Sequence, residues 1–166
     1  MGDIITANTL NSVWNLKKQI NFQQRRLHDL EVMASSTTAL LDGIPHSKPL
    51  TGKIERFVVL IDDCRRTIEQ LFELIIQRKL ELFALLHAQN LSESCARVLT
   101  YHYVDCLRHG DIAKLMNYTR NYIWKLHRQG LRTLGLTMEE MRNADSTPVN
   151  IDFSAEQKYN YTTNFS

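Results

Sequence analysis

Residues 111–134, DIAKLMNYTRNYIWKLHRQGLRTL, contain the pattern that decides how the C-terminal half of the chain folds. Apolar residues recur at helical spacing on both sides of Asn117, so the pattern predicts two short helices joined by a tight turn. Ala113 falls where two crossing helices need a small side chain. Asn117 falls where the turn needs a left-handed backbone, which asparagine tolerates better than most residues. Thr119 is the predicted N-cap of the second helix. This spacing is that of a helix-turn-helix.

The same stretch is rich in positive charge. Between Asp111 and Glu139 the sequence contains no acidic residue. Five cations lie there together with His127, namely Lys114, Arg120, Lys125, Arg128 and Arg132. A compact helical pair whose surface carries charge of one sign attracts the phosphate backbone of a duplex. The pattern therefore predicts a DNA-binding surface, and the alternative is an ordinary helical hairpin with a solvated basic face.

The second helix of this pair is expected to present its polar side chains opposite Ile123 and Leu126. In a major groove, arginine and lysine favour the acceptors of guanine, whereas asparagine pairs with adenine. The predicted base-reading residues are Arg120, Asn121, Trp124, Lys125 and Arg128. Phosphate contacts position a protein without reading sequence. The residues predicted to make them are Arg108, Lys114, Thr119 and Arg132. For Trp124 the alternative is burial against the C-terminal tail.

The N-terminal half predicts two long amphipathic helices. Residues 10–34 carry apolar side chains at heptad-like spacing, and residues 53–88 carry a stricter seven-residue repeat. The repeat consists of Ile54, Ile61, Ile68, Ile75 and Leu82. Because such a stripe cannot stay in water, it is expected to pack against another helix, within the chain or in a second copy. A linker is predicted at 35–52, where two prolines and two glycines lie within ten residues.

Strand signals are missing from the sequence, so the predicted fold class is all-α. We expect two long antiparallel, coiled-coil-like helices followed by a C-terminal helix-turn-helix domain. The predicted boundaries are 1–90 for a helical oligomerisation region and 91–142 for the helix-turn-helix domain. Residues 143–166 are predicted to be a disordered tail, because they are rich in Asn, Thr, Ser and Tyr without an apolar period. Within the second region, Ser92 and Glu93 open a helix that is expected to end near Val104.

Composition and charge narrow the classes of function. The 166 residues are 43% hydrophobic, which suffices for a core, and the formal net charge of +2 says less than the position of the charges. Three widely spaced cysteines indicate free thiols in a reducing compartment. Because no apolar run reaches the length of a membrane span and no secretory signal is recognisable, we expect a cytoplasmic protein without a membrane partner.

The sequence contains no clear motif of catalysis or of metal binding. A glycine-rich phosphate loop, a nucleophile elbow and a kinase motif are all missing, so neither catalysis nor a cofactor is predicted. His102 and Cys106 lie one helical turn apart, and with His109 and Cys95 they form an alternative metal set. Since the sequence has no CxxC pair and a helix break is expected before His109, half-buried side chains are the favoured interpretation and no metal is predicted.

Two known families share these motifs. Residues 118–134 fit the pattern V-T-R-x-x-I-x-x-I-x-x-x-A-L-x-x-L at Tyr118, Thr119, Arg120, Ile123, Leu126, Gly130, Leu131 and Leu134. In this they resemble the −35-reading region of bacterial sigma factors. A wider set is similar to phage transcriptional regulators of the RinA and ArpU type, at Leu99, Tyr103, Ile112, Ala113, Met116, Tyr118, Arg120, Ile123 and His127. The chain departs from the pattern at Arg108, where a Ser or Thr cap is usual, and at Trp124, where an Arg or Tyr is usual.

The resemblance implies a sequence-specific transcriptional regulator of phage or prophage promoters, often those of late genes, at the nucleoid of a bacterial host. It also implies that Arg120, Asn121, Trp124 and Lys125 face the promoter element. One such motif contacts only a few base pairs, so we expect a homo-oligomer, a dimer first, or a contact with host RNA polymerase. The alternatives are a sigma-like factor bound to polymerase and a small terminase subunit of DNA packaging.

Overall fold

A computed structural model describes residues 4–41 and 48–145, and these ranges contain helices and no strand. The predicted all-α fold class is confirmed over them. In chain order the helices are α1 (Ala7–Leu41), α2 (Lys48–Ala88), α3 (Glu93–Leu99), α4 (His109–Met116), α5 (Arg120–Thr133) and α6 (Met138–Asp145). A π-helical segment at Thr100–Val104 connects α3 to the loop before α4. None of the helices in the described ranges has an apolar stretch sufficient to cross a bilayer.

The helices α1 and α2 pack along each other in opposite directions. Near the start of α1, Leu10 shares a buried cluster with Leu86, close to the end of α2. Towards the other end of α1, the Glu31 carboxylate pairs with the Arg65 guanidinium of α2, at 2.9 Å between Oε1 and Nη2. Residue numbers therefore rise along one helix as they fall along the other. The antiparallel pairing predicted from the sequence is present.

The isoleucine–leucine repeat of α2 is used mainly inside the chain. Ile61, Ile68 and Leu82 are buried. Ile75 packs partly buried against two hydrophobic clusters, and Ile54 is half-buried. The expected helix packing is thus found with α1 as the partner. An oligomer contact through the same residues is not available to a second copy, because α1 already covers most of them.

The two long helices extend into the segment predicted as a linker at 35–52. α1 continues to Leu41 and α2 begins at Lys48. The hydroxyls of the Ser-Ser-Thr-Thr run donate to the carbonyl oxygens four residues earlier at 2.8–2.9 Å, so a helix satisfies them. Pro49 is the second residue of α2, where a helix tolerates proline because first-turn amides lack helical partners. The predicted linker is therefore too long, and only residues 42–47 lie outside the described ranges.

The N-terminal and C-terminal regions share one hydrophobic core. Leu10 of α1 and Leu86 of α2 belong to the same buried cluster as Leu99 of α3 and Leu131 of α5. Near residue 90, where the domain boundary was predicted, the chain bends between two helices. The hydrophobic core continues across this bend. The N-terminal and C-terminal helices are therefore packed on a common apolar surface.

The helix predicted to start behind Ser92 is present, with an unpredicted change of pitch. The Ser92 hydroxyl accepts the amide of Cys95 at 3.4 Å and caps α3, as expected. The helical course ends at Val104, also as expected, but its last part is π-helical. There the amide of Asp105 donates to the carbonyl of Thr100 at 3.1 Å, one residue farther back than in an α-helix.

The segment predicted to begin the disordered tail contains the end of α6, which runs to Asp145 instead of stopping before residue 143. A capping box opens this helix. The Thr137 amide donates to Glu140 Oε2 at 2.7 Å, and the Glu140 amide donates to Thr137 Oγ1 at 3.2 Å. Residues 143–145 are helical, so the predicted start of the tail lies three residues too early. The rest of the predicted tail, residues 146–166, lies outside the described residues.

The helix α6 attaches the C-terminal region to the N-terminal helix. Met141 is buried in the shared core. Its carbonyl oxygen accepts a hydrogen bond from the side-chain amide of Asn11 in α1 at 3.1 Å. The helix α5 packs against α3 and α4, and its Leu131 belongs to the same buried cluster as Met141 of α6.

Candidate nucleic-acid interface

The helices α4 and α5 are joined by a three-residue turn, 117–119. Asn117 ends α4 in the left-handed conformation, with φ 55° and ψ 40°. Thr119 is the N-cap of α5, and its hydroxyl accepts the amide of Tyr122 at 3.3 Å. Ala113 is buried where the two helices meet. The three local predictions made for this turn are confirmed.

The inner faces of α4 and α5 are covered by their own hydrophobic cluster, together with α3. It contains Cys95, Val98, Ile112, Ala113, Ile123 and Leu126. Gly130 of α5 lies against Leu99 of α3 so closely that a Cβ on residue 130 would stand 2.8 Å from Leu99 Cδ1. Since Leu99 is fully buried, its side chain has little room to retreat. The inner side of α5 is therefore closed, and its outer side is left to solvent.

The outer side of α5 forms a cationic surface groove. A concavity of ≈ 670 Å³ is lined by Asn121, Trp124, Lys125, Arg128, Gln129 and Arg132. All of these except Trp124 are exposed. They recur every three or four residues, which places them on one face of a helix. The groove thus brings together four of the five predicted base-reading residues. It also contains Arg132, which was predicted to contact phosphate.

Arg120 is the predicted base-reading residue that does not line this groove. It is exposed at the first position of α5. Its charge acts instead on His109 of α4, whose pKa is lowered to about 4 by burial first and then by the charges of His102 and Arg120. A helix turns about 100° per residue, so position 120 is rotated away from the face that carries Lys125 and Arg128.

Trp124 is half-buried rather than exposed. Its indole stacks on the imidazole of His109, with ring centroids 4.3 Å apart and planes inclined by 8°. The stack covers one face of the indole while the residue still lines the groove. The indole is therefore covered on one face, and its contact with DNA stays a prediction. The alternative, burial against the tail, concerns residues that lie mostly outside the described ranges.

The residues predicted to contact phosphates, Arg108, Lys114, Thr119 and Arg132, are all exposed. Arg108 precedes α4 and makes no side-chain cap. The first amides of α4 consequently keep their capacity to bind an anion. The Thr119 hydroxyl accepts an amide proton, which leaves its own proton free to be donated to a phosphate oxygen.

The cations of this surface carry uncompensated charge. Among the residues that the structure describes, no ion pair is found for Arg108 or for any lysine or arginine of α4 and α5. Arginines elsewhere behave differently, since Arg65, Arg78 and Arg97 each pair with a glutamate at 2.8–3.1 Å. Three arginines of α2 and α3 are thus neutralised by glutamates, whereas no cation of α4 and α5 is paired among the described residues.

Comparison with known proteins adds no relative to this geometry. The chain matches no family model, no curated protein and no solved structure.

Two features of the surface were missed by the sequence reasoning. Gln129 lines the groove, and its position four residues after Lys125 was the signal that would have found it. Tyr118 and Tyr122 are exposed and form an edge-to-face pair with centroids 5.0 Å apart, at the beginning of α5. Their pairing bridges the turn, which only the structure reveals.

His127 does not contribute the positive charge expected of it. The residue is 2% exposed, and its Nε2 lies 2.9 Å from the hydroxyl of Tyr103. Burial, followed by the charges of His102, His109 and Arg128, lowers the pKa of His127 to about 3. The imidazole is therefore neutral near pH 7. The expectation is wrong because position 127 faces the interior of the helix packing.

Proposed function

We propose that the chain binds double-stranded DNA through α5, reads its sequence and regulates transcription. The observation that carries this proposal is the uncompensated cationic face of α5, closed by packing on one side and open on the other. A helix of 14 residues is about 21 Å long and 10–12 Å in diameter with its side chains. The major groove of B-DNA is about 12 Å wide, so α5 has the size and the charge to enter it.

The side chains of the groove supply the two kinds of hydrogen-bonding group that base reading uses. Lys125, Arg128 and Arg132 present donors suited to the O6 and N7 acceptors of guanine. Asn121 and Gln129 present an amide, which both donates and accepts and so matches adenine. We assign base reading to these residues and to the open edge of Trp124.

Phosphate contacts are assigned to the rim of the same surface. Arg108 precedes α4, Lys114 lies in α4 and Thr119 is the N-cap of α5, and none of them lines the groove. Arg120 joins them, because it lies outside the groove lining and its charge acts on His109 of α4. Such contacts fix the register of a protein on the duplex without reading its sequence.

We further propose that the active form is a dimer held through α2. Four large apolar side chains of this helix are exposed by 45–68%, namely Phe72, Ile76, Leu80 and Phe83. Their spacing of four, four and three residues places them on one face, beside the face that α1 covers. One motif contacts only a few base pairs, so a second copy would supply the affinity that an operator needs.

The resemblance to RinA and ArpU regulators supports promoters of phage or prophage late genes as the targets. The exposed face of α2 also supports a second candidate, a sigma-like factor that uses this face to bind RNA polymerase. Sedimentation of the purified chain separates the two candidates. A stable dimer favours the regulator, whereas a monomer that copurifies with polymerase favours the sigma-like factor.

The DNA proposal is tested in two steps. Genomic fragments retained by the purified protein define a site, and fluorescence anisotropy then measures the affinity for that site and for a scrambled duplex. Arg128→Ala and Lys125→Ala are each expected to cost roughly 1–3 kcal/mol on the selected site, about 5- to 150-fold in Kd, and to relax the preference at one base pair. Arg120→Ala should weaken both duplexes to a similar extent.

The matched control is Arg78→Ala, which removes an exposed arginine that is paired with Glu81 on α2. Its affinity for DNA should equal that of the wild type. If the protein binds no duplex even at low ionic strength, the proposal fails. If it binds but Arg128→Ala and Lys125→Ala leave the specific affinity unchanged, DNA binding stands and the assignment of the groove is wrong.

A further inference from the structure

Three histidines meet beneath Trp124, at the junction of the π-helical segment with α4 and α5. They are His102 in the π-helical segment, His109 at the start of α4 and His127 in α5. One ring nitrogen of each lies within 4.8 Å of those of the other two. The ring centroids are 4.5 Å apart for His102 and His109, 4.8 Å for His109 and His127, and 5.2 Å for His102 and His127. This set differs from the cysteine-containing one considered from the sequence.

Each of these imidazoles keeps one nitrogen without a hydrogen-bond partner among the described residues. His102 Nδ1 lies 2.8 Å from the carbonyl oxygen of Leu107, so Nδ1 carries the proton and Nε2 keeps its lone pair. His127 Nε2 is engaged by the Tyr103 hydroxyl, and its Nδ1 is buried without a partner. His109 Nε2 is also buried without a partner. The site therefore contains two orphaned buried nitrogens, one of them on a side chain that is 2% exposed.

Such nitrogens need an occupant. Buried polar groups in native proteins are almost always satisfied by protein, water or an ion. When each of the three nitrogens presents a lone pair, a single water cannot satisfy them all, because it donates only two protons, whereas a metal ion accepts three lone pairs at once. Burial is the main cause that lowers the pKa of all three histidines, to about 4 for His109 and about 3 for His127. They are therefore held in the neutral form that ligates metals.

We propose that His102, His109 and His127 bind a transition-metal ion of the Zn²⁺ class through Nε2, Nε2 and Nδ1, respectively. Imidazole nitrogens suit Zn²⁺, Co²⁺, Ni²⁺ and Cu²⁺, whereas Mg²⁺ and Ca²⁺ prefer oxygen ligands. No carboxylate is among the described residues that line the adjoining cavity. With metal–nitrogen bonds of 2.0–2.1 Å, the nitrogens of a tetrahedral site lie about 3.4 Å apart. Since the three nitrogens lie within 4.8 Å of one another, metal binding would draw them together by up to about 1.4 Å.

The groups around the cluster resemble the support that zinc ligands have in proteins. A histidine ligand usually donates its second ring N–H to a carbonyl or another acceptor, which sets the orientation of the ring. The Leu107 carbonyl does this for His102. The Tyr103 oxygen does it for His127 when Nε2 carries the proton. Burial raises the pKa of the Tyr103 phenol, so the hydroxyl remains neutral in this role.

A fourth coordination position is available on the side of the α1–α6 contact. A cavity of ≈ 320 Å³ adjoins the three histidines and is also lined by Asn11 and Trp14 of α1 and by Met141 of α6. The cations Lys18 and Arg142 line it as well. The site is thus of the open type, with three protein ligands and one from solvent.

A metal here would fasten the π-helical segment, α4 and α5 to one another directly beneath the stack of His109 and Trp124. Metal binding at the three histidines does not depend on DNA binding, and the experiment that tests it contains no nucleic acid. Tag-free, full-length protein is stripped with a chelator, dialysed and titrated with Co²⁺ alone. The expected result is visible ligand-field absorption of a low-symmetry site that saturates at one ion per chain and is displaced by Zn²⁺. Zn²⁺ should also raise the thermal midpoint of the stripped protein.

Three variants decide whether the ion occupies this cluster. His109→Gln removes a ligand from the half-buried member and should weaken Co²⁺ binding by more than about 100-fold, because loss of an outer hydrogen-bond partner alone costs 10- to 100-fold. Tyr103→Phe removes such an outer partner and should fall within that smaller range. His28→Gln removes an exposed histidine of α1 and should leave the affinity unchanged.

Circular dichroism establishes that each variant is folded. The proposal is overturned if the wild type binds no Co²⁺, or if folded His109→Gln binds it as tightly as the wild type. Should His109→Gln fail to fold, Tyr103→Phe decides, since an unchanged Co²⁺ affinity in that variant overturns the proposal equally.

Discussion

Along α2, a row of large apolar side chains lies open to solvent while two of the arginines are paired with glutamates. Along α5 the reverse holds. Phe72 and Ile76 are exposed by 45% and 59%, whereas Ile123 and Leu126 of α5 are buried. The arginines of α5 have no ion pair among the described residues, whereas Arg65 and Arg78 of α2 do. The α1–α2 pair thus leaves apolar surface exposed, whereas the α4–α5 pair leaves positive charges without an ion pair among the described residues.

The difference follows from how many neighbours each helix has. α2 packs along one long partner, α1, so only part of its circumference is covered. α5 packs against α3 and α4 and shares the core of the long pair. Most of its apolar side chains are therefore buried or half-buried, and its outer side is mainly polar, with Tyr122 as the exposed exception. An apolar remainder attracts protein, whereas a cationic remainder attracts a polyanion. Four experiments sharpen or break this comparison.

The largest effect is expected from Leu86→Ala in the shared core. Leu86 is fully buried, and truncating such a leucine costs about 2–5 kcal/mol. Because the core joins both regions, circular dichroism and tryptophan fluorescence should show one coincident denaturant transition. Val59→Ala, at an exposed valine of the same helix that is not part of the proposed dimer face, should change stability little. Two separate transitions would mean that the bend near residue 90 divides independent folding units.

A pair of Ile→Asp substitutions on α2 separates helix packing from self-association. Ile68 is buried against α1 and Ile76 is 59% exposed. Ile68→Asp should unfold the chain at lower denaturant, because it buries a charge. Ile76→Asp should leave the fold intact and weaken the dimer, by about 3 kcal/mol or more and thus over 100-fold in Kd, since it acts in both subunits. Sedimentation measures this, and an unchanged oligomer would remove the proposed interface.

Acid should destabilise the metal-free protein through its buried histidines. The pKa of His127 is lowered to about 3, so the unfolded chain takes up a proton that the folded chain refuses. The stability that the neutral His127 contributes is fully present above the pKa that this histidine has in the unfolded chain. It is lost as the pH falls towards 3, the pKa in the folded chain. Between pH 7 and pH 5 the free energy of unfolding should drop by about 2 kcal/mol on this account. His109, His102 and Arg128 face it and act in the same direction.

Denaturant melts in chelator at the two pH values measure this loss. The exposed His28 provides the matched control, and His28→Gln should lose as much stability as the wild type. His127→Gln, which removes the titrating group, should lose less. An equal loss in His127→Gln would assign the acid sensitivity to other groups.

The smallest effect is expected from Lys114→Ala, at the rim of the cationic surface. Removing one phosphate contact should weaken binding to every duplex alike and reduce the slope of log K against log salt by about 1. Lys53→Ala removes an exposed lysine of α2 and should leave the slope unchanged. If Lys114→Ala alters the preference among sequences instead, the division between groove and rim is wrong.

The local features of the fold were predictable because short-range interactions determine them. Asn117, Thr119 and Ser92 act on amides and dihedral angles within three residues of themselves, and the structure has each in its predicted role. The seven-residue repeat likewise requires a partner helix whatever the rest of the chain does. The capping box of Thr137 and Glu140 is a local signal of the same kind, and α6, the helix that it opens, was not among the predicted elements.

The candidate sites divide along the same line. Periodicity alone places Asn121, Lys125 and Arg128 on one face of a helix, because side chains on one helix repeat with a known angle. It says nothing about what covers that face, and so the stack of His109 on Trp124 was not foreseen.

The sequence by itself determined the helix caps and the helix faces on which apolar and charged side chains recur. These features depend on contacts that reach only four or five positions along the chain. Only the tertiary structure decided that α1 would cover the isoleucine repeat, and that His102, His109 and His127 would converge from three elements. Such meetings depend on packing between segments distant in sequence. The energy of that packing belongs to pairs of surfaces, and no single stretch of chain contains both members.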